Sequence, residues 1–221
     1  MVNINPFRRS KGDISVIESV GDHIERHFGK ISWAMHEKES PDIHVDVYVI
    51  EATPERNYKR LVTSGMSERP MTVPSGISDA RYAELTLCLP SAWPLSMEAF
   101  KDESNYWPVR LLTGLARFPH QNGTWVYAGH SMDGSTPPKA FAANTAMTAA
   151  TLMWPKLSSP EAQVIPLRKD RNARLWAVYP LYQAEVDFKV TNGSDALEQL
   201  LGEAGVTELL DAGRPCVVKP N

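Results

Sequence analysis

Residues 44–51, HVDVYVIE, alternate in a way that only an extended strand can use. Val45, Val47 and Val49 fall on one face, and His44, Asp46, Tyr48 and Ile50 fall on the other. A β-branched run of this kind needs partners on both edges and a cover on its apolar face. It therefore predicts a sheet at the centre of the fold, and the rest of the chain can be read for what completes it.

Helices come first. Ile14, Ile17, Val20, Ile24 and Phe28 recur at helical spacing and predict a helix over 13–28, capped by Ser10 or Asp13 and ended by Gly29. A second helix is predicted from Pro108, whose fixed φ suits a first helical position, with Leu111, Leu112, Leu115 and Phe118 inward and Pro119 as the stop. Others are expected over 181–189 and from Ser194 or Asp195 to Glu203. Strands are expected over 59–64, 84–89, 124–129 (after the Asn122-Gly123 turn signal) and 175–179, with 31–35 a candidate. Residues 145–154 fit helix or strand. The order lacks a β-α-β rhythm, so the expected class is α+β: a mixed β-sheet core flanked by helices. One domain over 1–221 is expected, with its core at about 12–204 and a peripheral N-terminal arm and C-terminal tail.

Composition excludes several functions. The formal charge of −3 and the absence of a basic stripe argue against a nucleic-acid partner. The run Arg168, Lys169, Arg171, Arg174 reads as a solvated hairpin loop, and Arg8, Arg9 and Lys11 as a solvated arm. Two cysteines in no C-x-x-C pattern imply a reducing compartment. No signal peptide and no membrane span are expected, which points to the cytoplasm.

Candidate chemistry is sparse. G-H-S-M-D-G at 129–134 approaches the G-x-S-x-G nucleophile elbow, but Asp133 stands where the second Gly belongs, Pro137-Pro138 follow instead of a helix, and no His lies after His130. His44 and Asp46 share a strand face ~7 Å apart along the chain. They read as a hydrogen-bonded pair on a half-buried face, while a metal-dependent or other hydrolase using His44, Asp46 and His130 is the alternative. His23 and His27 stand one helical turn apart. On the stripe's geometry His23 faces away from the core and His27 lies at its edge. Cys88 reads as a buried, inert thiol. No catalytic residue, metal or cofactor is assigned.

Six ordered stretches carry a resemblance: IERHFGKISW (24–33), SPDIHVDVYVIEATPERN (40–57), LVTSGM (61–66), AELTLCLP (83–90), YWPVRLLTGLARFP (106–119) and VYPLYQAEVDF (178–188). Together they resemble the suppressor-of-fused domain family in its compact bacterial form. The resemblance implies a mixed sheet-and-helix domain without catalytic activity. It places Pro41, Asp42, His44, Asp46, Pro54, Glu55, Arg56, Trp107 and Pro108 in motifs that encode folding. Ser40-Pro41-Asp42 would turn into the strand, and Thr53-Pro54-Glu55-Arg56 would form a tight turn. Animal relatives bind zinc-finger transcription factors between this domain and a second one for which the chain leaves no room, so that partner is not expected. Bacterial relatives imply an immunity protein that blocks a toxin domain. An intracellular regulatory protein binding a peptide at a sheet edge is the other reading. The partner's identity, the face that binds it and the oligomeric state are not legible.

Overall fold

A computed structural model describes residues 13–36, 43–168 and 170–219. The elements run α1 (Ile14–Phe28), β1 (Trp33–Met35), β2 (Asp46–Ile50), β3 (Tyr58–Ser64), β4 (Ala83–Pro90), α2 (Glu103–Gln121), β5 (Ser131–Asp133), β6 (Ala149–Met153), β7 (Val164–Leu167), β8 (Arg171–Leu181), α3 (Gln183–Asn192) and α4 (Ser194–Glu203). Ser10, Pro41 and Asp42 lie outside the described residues, as do the arm's Arg8, Arg9 and Lys11 and the loop's Lys169. The strands form one mixed sheet in the order β1-β2-β3-β4-β8-β6-β5, with β7 on β8 as well. All pairs are antiparallel except β4 with β8. The class is α+β.

The long β8 organises this sheet. Its Arg174–Ala177 segment pairs with β4 on one edge. The other edge is shared by β7, along Arg171–Arg174, and β6, along Ala177–Leu181. Alternation then sends side chains to two covered faces. Val45, Val47, Val49, Leu61, Leu85, Leu87, Trp176 and Val178 pack with α2, and Trp107 of that helix stacks on Phe141 with ring centroids 5.2 Å apart. Tyr48, Ile50, Val62 and Leu175 pack on the opposite face beneath α1. Ala177, Tyr179 and Leu181 continue that face beneath α3 and α4. Both sides of β2 are therefore buried, whereas the sequence pattern suggested one half-buried face.

Several local expectations are corrected by tertiary contacts. In α1, Val16 joins the core stripe and Ile14 is 63% exposed. Asp13 caps the helix by accepting from the Ser15 amide. His23 does not face away from the core: it is buried, and its Nε2 donates to the Ala162 carbonyl at 3.0 Å. Helix α2 begins five residues before Pro108, capped by Asp102. Pro108 has no N–H to give the Ser104 carbonyl, and the Asn144 side-chain amide donates to it instead at 2.9 Å. Pro119 does not stop α2 either. The helix ends at Asn122, with Gly123 at φ +58°, so this turn signal marks a helix terminus and not a hairpin. Residues 124–129 consequently form no strand. Within 145–154, Ala149–Met153 form β6, because the β8 edge is open to them. Phe118 is largely at the surface. The basic segment at 168–174 does turn between two strands, through Asp170 at φ +53°.

The C-terminal segment is the largest correction. It was expected to be peripheral, yet it completes the sheet. The Cys88 amide donates to the Glu208 carbonyl and the Leu210 amide donates to the Cys88 carbonyl, extending the β4 edge beyond the point where β8 departs. The Glu208 carboxylate is fully buried. It accepts from the amides of Lys156 and Leu157 at 3.0 and 2.9 Å, and lies 3.5 Å from the guanidinium of buried Arg60. Arg60 also donates to Thr86 Oγ1 and the Leu157 carbonyl and lies over the Phe28 ring. Farther on, Arg214 grips buried Glu185 of α3 with two 2.6 Å hydrogen bonds. Burial pushes the Cys88 thiol, next to this network, up to about 12.

Removing one member of the Arg60–Glu208 pair strands the other charge in the interior. Arg60→Met is expected to cost about 3–5 kcal/mol in urea unfolding, and Arg60→Met with Glu208→Leu to cost less than either change alone. A second prediction concerns Glu84, fully buried and accepting from Thr63 Oγ1, Ser67 Oγ and the amides of Gly65 and Ser67. Burial outweighs these donors and pushes its pKa from 4.5 to about 7. The folded state thus holds an extra proton between pH 4.5 and 7, a contribution complete below 4.5 and lost as pH rises through 7. Across that window the wild type is expected to lose roughly 3 kcal/mol relative to Glu84→Gln, read as the difference in urea midpoints. Buried His23, whose pKa is lowered by desolvation, acts oppositely as pH falls below 6.5, and taking the difference cancels it.

A candidate protein-binding groove at the sheet edge

Strand β1 is short and pairs only with β2 among the described residues. Beside it the chain leaves β4 at Pro90 and crosses toward the start of α2. The crossing is held by Lys59 Nζ donating to the Trp93 carbonyl, Trp93 Nε1 donating to the Asn105 carbonyl, and Asn105 Nδ2 donating to the Ala99 carbonyl. Between this crossing, the sheet edge and α2 lies a groove of about 360 Å³. Met35, Val45, Val47, Phe100, Tyr106 and Val109 supply its apolar walls. Met97, 82% exposed, is among its lining residues. Phe100 and Tyr106 meet with ring centroids 5.2 Å apart.

His36 is among the residues lining this groove, whereas His44 and Asp46, singled out by the strand pattern, are not. Asp46 is buried between two imidazoles, with His36 Nδ1 donating to its Oδ2 at 2.8 Å. His44 Nε2 lies 2.8 Å from Oδ1, though poorly aligned for a hydrogen bond. A buried carboxylate needs such neighbours, and both of its oxygens already have one. No group of three His, Cys, Asp or Glu suited to a metal ion is found among the described residues. His130 cannot join His44 and Asp46. It precedes β5 at the far edge, five strand spacings from β2, or ~24 Å. The hydrolase trio is not assembled. Ser131 opens a short strand and not the helix that an elbow requires. Sequence reasoning missed His36, which no pattern joined to Asp46 before the β1–β2 pairing was known, and Met97, which lies in a loop without periodicity.

Thr53 and Arg56 pair across Pro54 and Glu55 in a tight turn. The Arg56 guanidinium donates to the carbonyls of Glu51 and Phe28, fastening the β2–β3 turn to the end of α1. Trp107 is fully buried. No helix among the described residues is long and apolar enough to cross a membrane.

Comparison with known proteins agrees with this architecture. No curated protein matches the sequence. Among solved structures, a putative SUFU homolog from Neisseria gonorrhoeae superposes with a TM-score of 0.65 at 14% identity, covering 95% of this chain and 100% of the other. A chain of the Sufu–Fu complex superposes at 0.63 with 13% identity, covering 92% of each. Drosophila Suppressor of Fused superposes at 0.53 with 11% identity over 85% of this chain, which spans 46% of that longer protein. The family model for suppressor of fused protein (SUFU) matches residues 41–215, and the chain belongs to that family.

Proposed function

We propose that this chain is a non-enzymatic protein-binding module acting in the cytoplasm, and that it docks a folded partner at the groove beside β1. The observation that carries this reading is Met97, an 82% exposed apolar side chain among the residues lining an apolar groove. A long apolar side chain held in water gains by being covered. The structural likeness to a chain of the Sufu–Fu complex supports a protein as the partner. In its most concrete form the partner is a toxin domain and the module is an immunity protein that blocks it sterically.

The test uses an inactivated toxin domain encoded beside this gene, titrated into the purified protein by calorimetry. Met97→Asp is expected to weaken binding at least about tenfold, ~1.4 kcal/mol, with unchanged thermal melting because the site is exposed. Equal affinity for the variant would move the docking face elsewhere, and no binding by the wild type would remove the toxin reading. Among the described residues β1 pairs only with β2, and this favours a second reading, in which an extended peptide adds a strand there. A peptide that binds with the affinity of the folded domain would select that reading.

A further inference from the structure

At the opposite end of the sheet from the groove, the segment leading into β5 passes beneath α3 and α4. A cleft of about 540 Å³ opens there, lined by Phe118, Trp125, His130, Ser131, Lys189 and Ser194 among others. Among the described residues no Asp or Glu lines it. Lys189 enters from the last turn of α3, and its Nζ donates to Ser131 Oγ at 2.9 Å. Burial alone lowers the Lys189 pKa, with no carboxylate acting against it. His130 stands within the field of that ammonium and edge-on to Trp125, with ring centroids 4.7 Å apart.

The donors are held in place by the backbone. Gly129 has φ +80°, and a Cβ there would meet Ser194 Oγ at 2.9 Å and Ser194 Cβ at 3.0 Å. The β5 lead-in therefore lies directly against the first residue of α4, and Ser194 Oγ donates back to the Gly129 carbonyl at 3.3 Å. A partly desolvated ammonium, two serine hydroxyls and an imidazole line one cleft, beside two aromatic side chains and without a counter-charge. Such a cleft favours a ligand that brings the missing negative charge and an apolar body.

We propose that this cleft binds the phosphate or carboxylate group of a small molecule, with Lys189 as its ionic partner, Ser131 as a hydroxyl donor, and the apolar part of the ligand against Phe118 and Trp125. The site is independent of the groove beside β1 and of any protein docked there.

The test is an amide NMR titration of the full chain at constant ionic strength with inorganic phosphate, phenyl phosphate, benzoate and, as a neutral control, phenol. Saturable shifts confined to 129–132 and 189–194 are expected with an anionic probe and not with phenol. Phenyl phosphate against benzoate decides between the two anion types, and inorganic phosphate shows what the anion contributes without an aromatic body. Lys189→Met should weaken binding about tenfold, the size of a lost charge-assisted hydrogen bond, and Lys189→Arg should retain it. Thermal melting of each variant checks that the fold is intact. No saturable shift with any anion, equal binding by phenol, or undiminished binding by Lys189→Met would each overturn the proposal.

Discussion

The buried pair of Arg60 and Glu208 is the constraint around which the rest of this structure is arranged. Taking both charges out of water is costly, and the cost is offset only where geometry and further hydrogen bonds satisfy each of them. Here the guanidinium has Thr86, the Leu157 carbonyl and the Phe28 ring as well as Glu208, while the carboxylate has two backbone amides. These contacts come from α1, β3, β4, the loop after β6 and the C-terminal segment. No one of those pieces can move away without leaving a charge unsatisfied. The pair lies on the face covered by α1 and, farther along, by α3 and α4.

Elements whose periodicity is set by local chemistry were legible in the sequence. Strand β2 and helix α1 are of this kind, since valines at alternate positions and apolar residues at helical spacing need nothing distant to explain them. Those decided by a remote partner were not. Pro108 reads as a helix start unless Asn144 is known to serve the carbonyl it orphans. The Asn122-Gly123 signal fits a helix terminus as well as a hairpin, and only the actual extent of α2 separates the two. His23 looks like a surface residue until Ala162 is brought over it. Residues 205–217 are aperiodic, because their order comes from the edge of β4 beyond β8 and from Glu185, neither of which leaves a local trace.

The candidate site divides in the same way. Asp46 and His44 were visible because they alternate with valines, but their environment was not. Pairing of β1 with β2 brings His36 to the second carboxylate oxygen, and five strand spacings separate His130 from both. The resemblance to the suppressor-of-fused family implied folding roles for the turn at Thr53–Arg56 and for Trp107. It could not point to the groove, whose walls come from β1, β2, the crossing after β4 and α2.

The two ends of the sheet differ chemically because they are closed differently. At the β1 end one short strand is the last of the ladder among the described residues, and the covering helix α2 is approached by a loop, so apolar side chains from sheet and loop are left facing each other across a groove. At the β5 end the last strand is equally short, but α3 and α4 bring their polar termini to it, with Lys189 in the final turn of one and Ser194 at the start of the other. Helix termini carry unpaired backbone groups and favour polar neighbours, so a cleft built from them is polar where one built from helix sides is apolar. The same alternation of strands thus ends in two unlike surfaces. Whatever the apolar end recruits, the polar end lies too far along the sheet to share the same small ligand, and each can be altered without disturbing the Arg60–Glu208 centre between them.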